Sequence, residues 1–184
     1  TKKSGIVDAR KFGKYLDLAR LYGEETTNNA RNIRAFDYSN VSGQLVIGWS
    51  DGELSVHDFS EEKWRRREHS KSVSRVKWHP ESDDHTSDFT AWLATSSTSG
   101  SIIIHGAAGD VICALPRAAV HDIAWSQQKS IALLACALHG VVKVWRIDKT
   151  LNEFHPVNVA VLRGHLGKVM CVQFATHDDE TIVS

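Results

Sequence analysis

The protein has 184 residues, 42% of them hydrophobic and 24% charged, a balance that fits an ordinary globular chain and argues against wholesale disorder. Lysine plus arginine and aspartate plus glutamate both number 22, so no overall field draws the chain to nucleic acid or to an anionic membrane, and such binding has to come from a local patch. No apolar run approaches the ~18 residues that span a bilayer, and the first residues, TKKSGIVDARKFG, lack a signal-peptide core.

Cys113, Cys136 and Cys171 form no C-x-x-C pair, so neither a disulfide framework nor a zinc knuckle is indicated. Each sits in an apolar run and reads as a small buried hydrophobe. A reducing compartment, cytoplasm or nucleus, is the natural expectation.

In chain order, DARKFGKYLDLARLYG (8–23) places Phe12, Tyr15, Ala19 and Tyr22 at helical spacing behind Asp8, a fair N-cap. Residues 1–32 therefore read as a helical insertion and a loop leading into a repeat region. From Ile33 onward the chain repeats itself. IRAFDY (33–38), VSRVKW (73–78), VHDIAW (120–125) and VMCVQF (169–174) share one alternating rhythm, which makes half-buried strands. Their closing aromatics, Tyr38, Trp78, Trp125 and Phe174, are 40, 47 and 49 residues apart.

A second apolar run comes after each of the first three: QLVIGW, AWLATS and IALLACAL. Then come the turns SDG, TSG and LHG, each placing Gly five residues before His57, His105 or Trp145 on a third strand. Glycine there supplies the positive φ of a tight hairpin. KWRRRE, DVICALP and VNVAVLR come next as fourth strands, polar enough to stand at an outer edge.

Four strands per unit at this period is the sequence form of a propeller blade. The units resemble WD repeats: Gly164-His165 matches the Gly-His step, Trp145 the third-strand Trp, and Asp51 the turn Asp. The expected fold is all-β, a WD-repeat-type β-propeller with blades at 33–68, 69–115 and 116–163 and the start of a fourth at 164–184. About three and a half blades cannot close a ring, so the residues are expected to be a piece of a longer chain.

Catalysis is not indicated. The ten histidines form no H-x-x-x-H, and no G-x-S-x-G or phosphate-binding loop is present. Asp83, Asp84 and His85 lie in a polar stretch and read as a solvated insertion. Neither a cofactor nor a metal nor a small-molecule substrate is expected. Lys63, Arg65, Arg66 and Arg67 form the strongest basic cluster, either a phosphate-contacting ridge or an edge strand kept soluble by its charges. His57 and His105 stand where Trp is usual and read as members of a buried polar relay. His165 reads as the relay histidine of the last unit, with Ser184 its candidate hydroxyl. Lys168 precedes Val169 on the connection that faces the narrow end of a propeller. Its equivalents are Ser72 and Ala119, so the fold does not demand a charge there, and a solvated loop lysine is the plain alternative.

The order of the less common features also resembles one group of WD proteins. SDGELSVHDF, HSKSVSRVKWH, LATSS, IIIH and LRGHLGKV, after Ser4, Gly5 and Asp8, are similar to the second tandem propeller of the gemin five family, RNA-recognising subunits of the survival-of-motor-neuron (SMN) complex. The resemblance implies binding of small nuclear RNA, through its Sm site and cap, for the assembly of spliceosomal ribonucleoproteins, with SMN-complex proteins as partners. Lys168 matches the family's RNA-contacting lysine, and the next contacting residue, a Tyr, would fall beyond Ser184. The alternative is a WD-repeat scaffold that holds other proteins on its blade rims and has no RNA site.

Overall fold

The computed structural model describes residues 31–58, 61–80, 91–127, 131–151, 153–176 and 181–184. The expected helix at 8–23 and the Asp83-Asp84-His85 stretch lie outside them. The described residues form antiparallel sheets alone. β1 (Ile33–Tyr38), β2 (Leu45–Trp49), β3 (Glu53–His57) and β4 (Glu62–Arg67) make the first four-stranded meander. β5 (Val73–Trp78), β6 (Leu93–Ser97), β7 (Ile102–His105) and β8 (Val111–Leu115) make the second. β9 (Asp122–Trp125), β10 (Leu133–Ala137), β11 (His139–Thr150) and β12 (Glu153–Lys168) make the third. β13 (Gln173–Phe174) and β14 (Ile182–Val183) pair as a two-stranded sheet.

Each meander arises from its alternation. The second strands are buried on both faces, the inner position of a packed sheet, whereas β4 is half exposed, as an outer strand should be. Even the irregularities repeat: the ladder slips between Val56 and His57 and again between Ile104 and His105, at equivalent third-strand positions. Two expectations shift. The first strand of the third sheet begins at Asp122, not Val120, and β12 runs on through the Gly-His step to Lys168. It can do so because β11 is also long and its partners continue from Thr150 back to His139.

The sheets stack face against face with their first strands side by side. Asp37 at the end of β1 accepts from the Trp78 backbone N–H at 2.8 Å, and Trp125 at the end of β9 donates to the Lys77 carbonyl at 3.0 Å. The first strands therefore run parallel, and the molecule has a proximal end, where they begin, and a distal end, where they finish. Two apolar cores fill the spaces between sheets. One spans the first and second sheets (Val46, Leu54, Val56, Val73, Val76, Leu93). The other spans the second and third (Ile102, Ile104, Leu115, Ile123, Leu134, Trp145). A third, of Val142, Val144, Val169, Val172 and Phe174, joins the third sheet to β13. Of the cysteines, Cys113 and Cys136 are buried as expected, and burial pushes their thiols up to about 11 and about 12. Cys171 is exposed, because alternation at the start of the fourth unit buries its neighbour Val172 instead.

At the proximal end the turn of each sheet is latched to the loop that enters the next. His69 N–H donates to the Gly52 carbonyl at 3.3 Å, and Ala118 N–H donates to the Gly100 carbonyl at 2.9 Å. Gly52, Gly100 and Gly140 all have positive φ, at 90°, 84° and 72°. At Gly52 a side chain would also strike the His69 carbonyl oxygen, so glycine meets a conformational and a steric demand at once.

Candidate functional site

The histidines sort into two environments. His69 is 1% exposed, with Nδ1 2.6 Å from Ser101 Oγ and Nε2 2.8 Å from Thr95 Oγ1. Thr95 Oγ1 lies 3.0 Å from His105 Nε2, so a loop, a second strand and a third strand are tied by one buried chain of hydrogen bonds. Burial pushes His69 down to about 4 and His105 to about 3, the latter with help from neighbouring His69. In the first sheet, Ser55 Oγ accepts from Trp49 Nε1 at 2.9 Å and lies 3.0 Å from His57 Nε2. His165 Nε2 lies 2.8 Å from Ser184 Oγ, but that pair is exposed. His69 went unassigned in the sequence because Glu68 stands where glycine would complete a Gly-His step. The available signal was its spacing: His69 precedes Val73 by four residues, as His165 precedes Val169.

The basic cluster on β4 divides by alternation. Trp64 and Arg66 turn toward the second sheet, donating to the Ala107 carbonyl at 3.1 Å and the Ala108 carbonyl at 3.4 Å. Lys63, Arg65 and Arg67 turn the other way, onto carboxylates. Lys63 meets Asp58 at 2.7 Å, Arg65 meets Glu62 at 2.6 Å and Glu53 at 3.1 Å, and Arg67 meets Asp51 at 3.2 Å. The Arg65 hydrogen bond holds Glu62 below the usual carboxylate range. With three of its four cations matched to carboxylates, the strand offers little to a phosphate.

Lys168 stands differently. It is the exposed last residue of β12, opposite His139, and the next residue, Val169, is buried and donates to the Leu138 carbonyl at 3.0 Å. Its equivalents, Ser72 and Ala119, likewise precede buried Val73 and Val120. In the proximal segments 98–101, 116–121, 138–140 and 164–168, Arg117 and Lys168 are the only formally charged residues. Both are exposed, as are Lys71, His139 and Arg163 around them. None of the five takes part in an ion pair among the described residues. Arg117 is steadied by donating to the Ser99 carbonyl at 3.0 Å. The adjacent Asp122 is engaged elsewhere, with Arg75 at 3.0 Å and the Val172 N–H at 3.1 Å. On a net-neutral chain the proximal rim of the second and third sheets is thus cationic, whereas the first sheet brings Asp51, Glu53 and Glu68 to that end, the first two paired with arginines. Sequence reading found Lys168 but not Arg117, Lys71, Arg163 or His139, because separate segments of the chain build the rim.

Between the first strands lies a hollow of about 330 Å³, lined by Lys77, Trp78, Asp122, Trp125, Cys171 and Gln173. A second, of about 610 Å³, runs between the outer strands β8 and β12.

No family profile and no curated protein matches this chain. Solved structures do. A chain of the mitotic checkpoint complex superposes with a TM-score of 0.65 at 18% identity, covering 85% of this chain and 44% of its own. The computationally designed Ika8 protein gives 0.58 at 20% identity, covering 81% and 42%, and the designed Ika4 protein gives 0.57 at 18%, covering 82% and 84%. This chain therefore spans less than half the length of the first two. Likeness at such identity bears on fold alone, and together with the repeated four-stranded meanders it makes this chain a WD-repeat-type β-propeller in architecture.

Proposed function

We propose that the protein is an interaction scaffold whose proximal rim, with Lys168 and Arg117 at its centre, docks partners bearing negative charge. The observation that carries this reading is the rim itself: exposed cations at the proximal end, with no carboxylate in segments 98–101, 116–121, 138–140 and 164–168, on a chain of zero net charge. Positive charge that the fold leaves unmatched is available to a partner, and it raises encounter rates with acidic surfaces. On β4, Lys63, Arg65 and Arg67 are neutralised within their own sheet and Arg66 is turned onto a backbone carbonyl, so that cluster supports the role less well.

The same observation favours a second reading. Phosphates also fit the cations of the second and third sheets' rim, and the resemblance to the gemin five family makes small nuclear RNA the ligand and Lys168 its contact, in cytoplasm and nucleus. One experiment separates them. Wild-type protein and the Arg117→Glu/Lys168→Glu variant are purified from cells with and without nuclease, and co-purifying proteins and crosslinked RNA are quantified. The scaffold reading expects at least a tenfold loss of some protein partners that survives nuclease treatment. Loss confined to RNA moves the function to the second reading. Unchanged protein and RNA together would refute both.

A further inference from the structure

The wide groove between the second and third sheets has a chemistry of its own. Its walls are the outer strands β8 and β12, and no ladder joins them. Each is hydrogen-bonded on one side only, β8 to β7 and β12 to β11, so each carries a free backbone edge beside the groove. Pro156 removes a donor from β12 within the groove, which leaves β8 as the better edge to extend. The lining is mixed, with Val111, Ile112, Phe154 and Pro156 beside the polar Asp110, Glu153 and His155. Val111 is 48% exposed. Phe154 is held in place, its ring edge-on to Trp92 at 4.9 Å with Lys149 over its face at 5.6 Å. Two carboxylates flank the apolar stretch. Asp110 takes part in no ion pair among the described residues, and Glu153 meets only His155, at 3.7 Å.

We propose that this groove is a second docking site, which receives an extended peptide segment of a partner protein along the outer edge of β8. The segment carries alternating apolar side chains that fill the space over Val111, Ile112 and Phe154, flanked by Lys or Arg that meet Asp110 and Glu153. The volume, about 610 Å³, suits a few side chains in a pre-formed pocket. Strand addition supplies affinity through the main chain, and alternate side chains supply specificity. The flanking charge decides the ligand class, since Asp110 and Glu153, the latter facing only the titratable His155, repel RNA and acidic segments and favour cationic ones. The site rests on the scaffold reading but is opposite in charge to the proximal rim, so the two recruit different partners.

The test selects binders from a random heptapeptide display library on the intact protein, then measures synthetic versions of the enriched peptides by fluorescence anisotropy. Enriched sequences should combine alternating Val, Ile, Leu or Phe with at least one Lys or Arg. Asp110→Lys/Glu153→Lys should weaken them at least tenfold, while Arg117→Glu/Lys168→Glu leaves them unchanged. Both groove positions are exposed, and an unaltered melting temperature would show that the fold is kept. Peptides without basic residues, or equal binding to the groove variant, would overturn the groove and leave the rim reading intact. Peptides that lose affinity only on the rim variant would overturn the groove and support the rim. A short oligouridine RNA is the control ligand: competition with the peptides at the groove would also overturn the proposal.

Discussion

Thr95 shows how much one hydroxyl can organise. It receives His69 from the preceding loop and His105 from the neighbouring strand, and all three are buried. Replacing Thr95 with Val keeps the shape and removes the shared partner, leaving two imidazole nitrogens without a hydrogen bond. The expected loss is about 2–4 kcal/mol, the cost of two orphaned buried polar groups. Denaturant unfolding would check it, as a lower midpoint at unchanged slope. The relay was partly legible from the chain: His57 and His105 stood out because they replace an aromatic at a fixed distance from Gly. Thr95 and Ser101 did not, since nothing local distinguishes a hydroxyl that bonds a loop 26 or 32 residues away from one that faces water.

At the scale of elements, the three proximal turns show why glycine recurs. Gly52 needs its positive φ and also clears the backbone of the incoming loop, whereas Gly167 has open space around it. Gly52→Ala should cost more than about 1–2 kcal/mol, the penalty for a left-handed non-glycine residue, with the clash added. Gly167→Ala should be close to neutral, and thermal melts of the two variants would check the contrast. The turn positions were readable from spacing alone, because hairpin geometry is local. The length of β12 was not. A sequence with a Gly-His step reads as a loop, yet the pairing of β11 from His139 to Thr150 draws those residues into a ladder. Cross-strand hydrogen bonding outweighs the weak local preference of glycine for turns.

For the molecule as a whole, pH is the informative variable. Burial holds His69 and His79 at about 4 and His105 at about 3, against about 6.5 in an unfolded chain. The folded state favours the neutral ring, so the stabilisation is complete above pH 6.5 and declines as pH falls toward 4. Each of these histidines should withdraw about 1.4 kcal/mol per pH unit across that window, or roughly 2 kcal/mol between pH 6.5 and 5. Unfolding free energies measured at pH 7 and pH 5 would check this; equal values would mean that the rings are not buried as neutral groups. His57 shifts the same way and adds to the trend.

Strand positions, meander order and the glycine turns were determined by the sequence itself, because period-2 alternation and hairpin φ angles depend on residues no more than a few positions apart. Which charges remain available was decided only in three dimensions. Arg65 and Lys168 are both basic residues on outer strands, yet Arg65 folds against Glu53 and Glu62 while Lys168 meets no carboxylate among the described residues. The difference lies in what other strands and loops bring to each position, and a neutral total of 22 and 22 conceals it. The groove between β8 and β12 is of the same kind: its two walls lie far apart in the chain and meet only because the second and third sheets pack face to face.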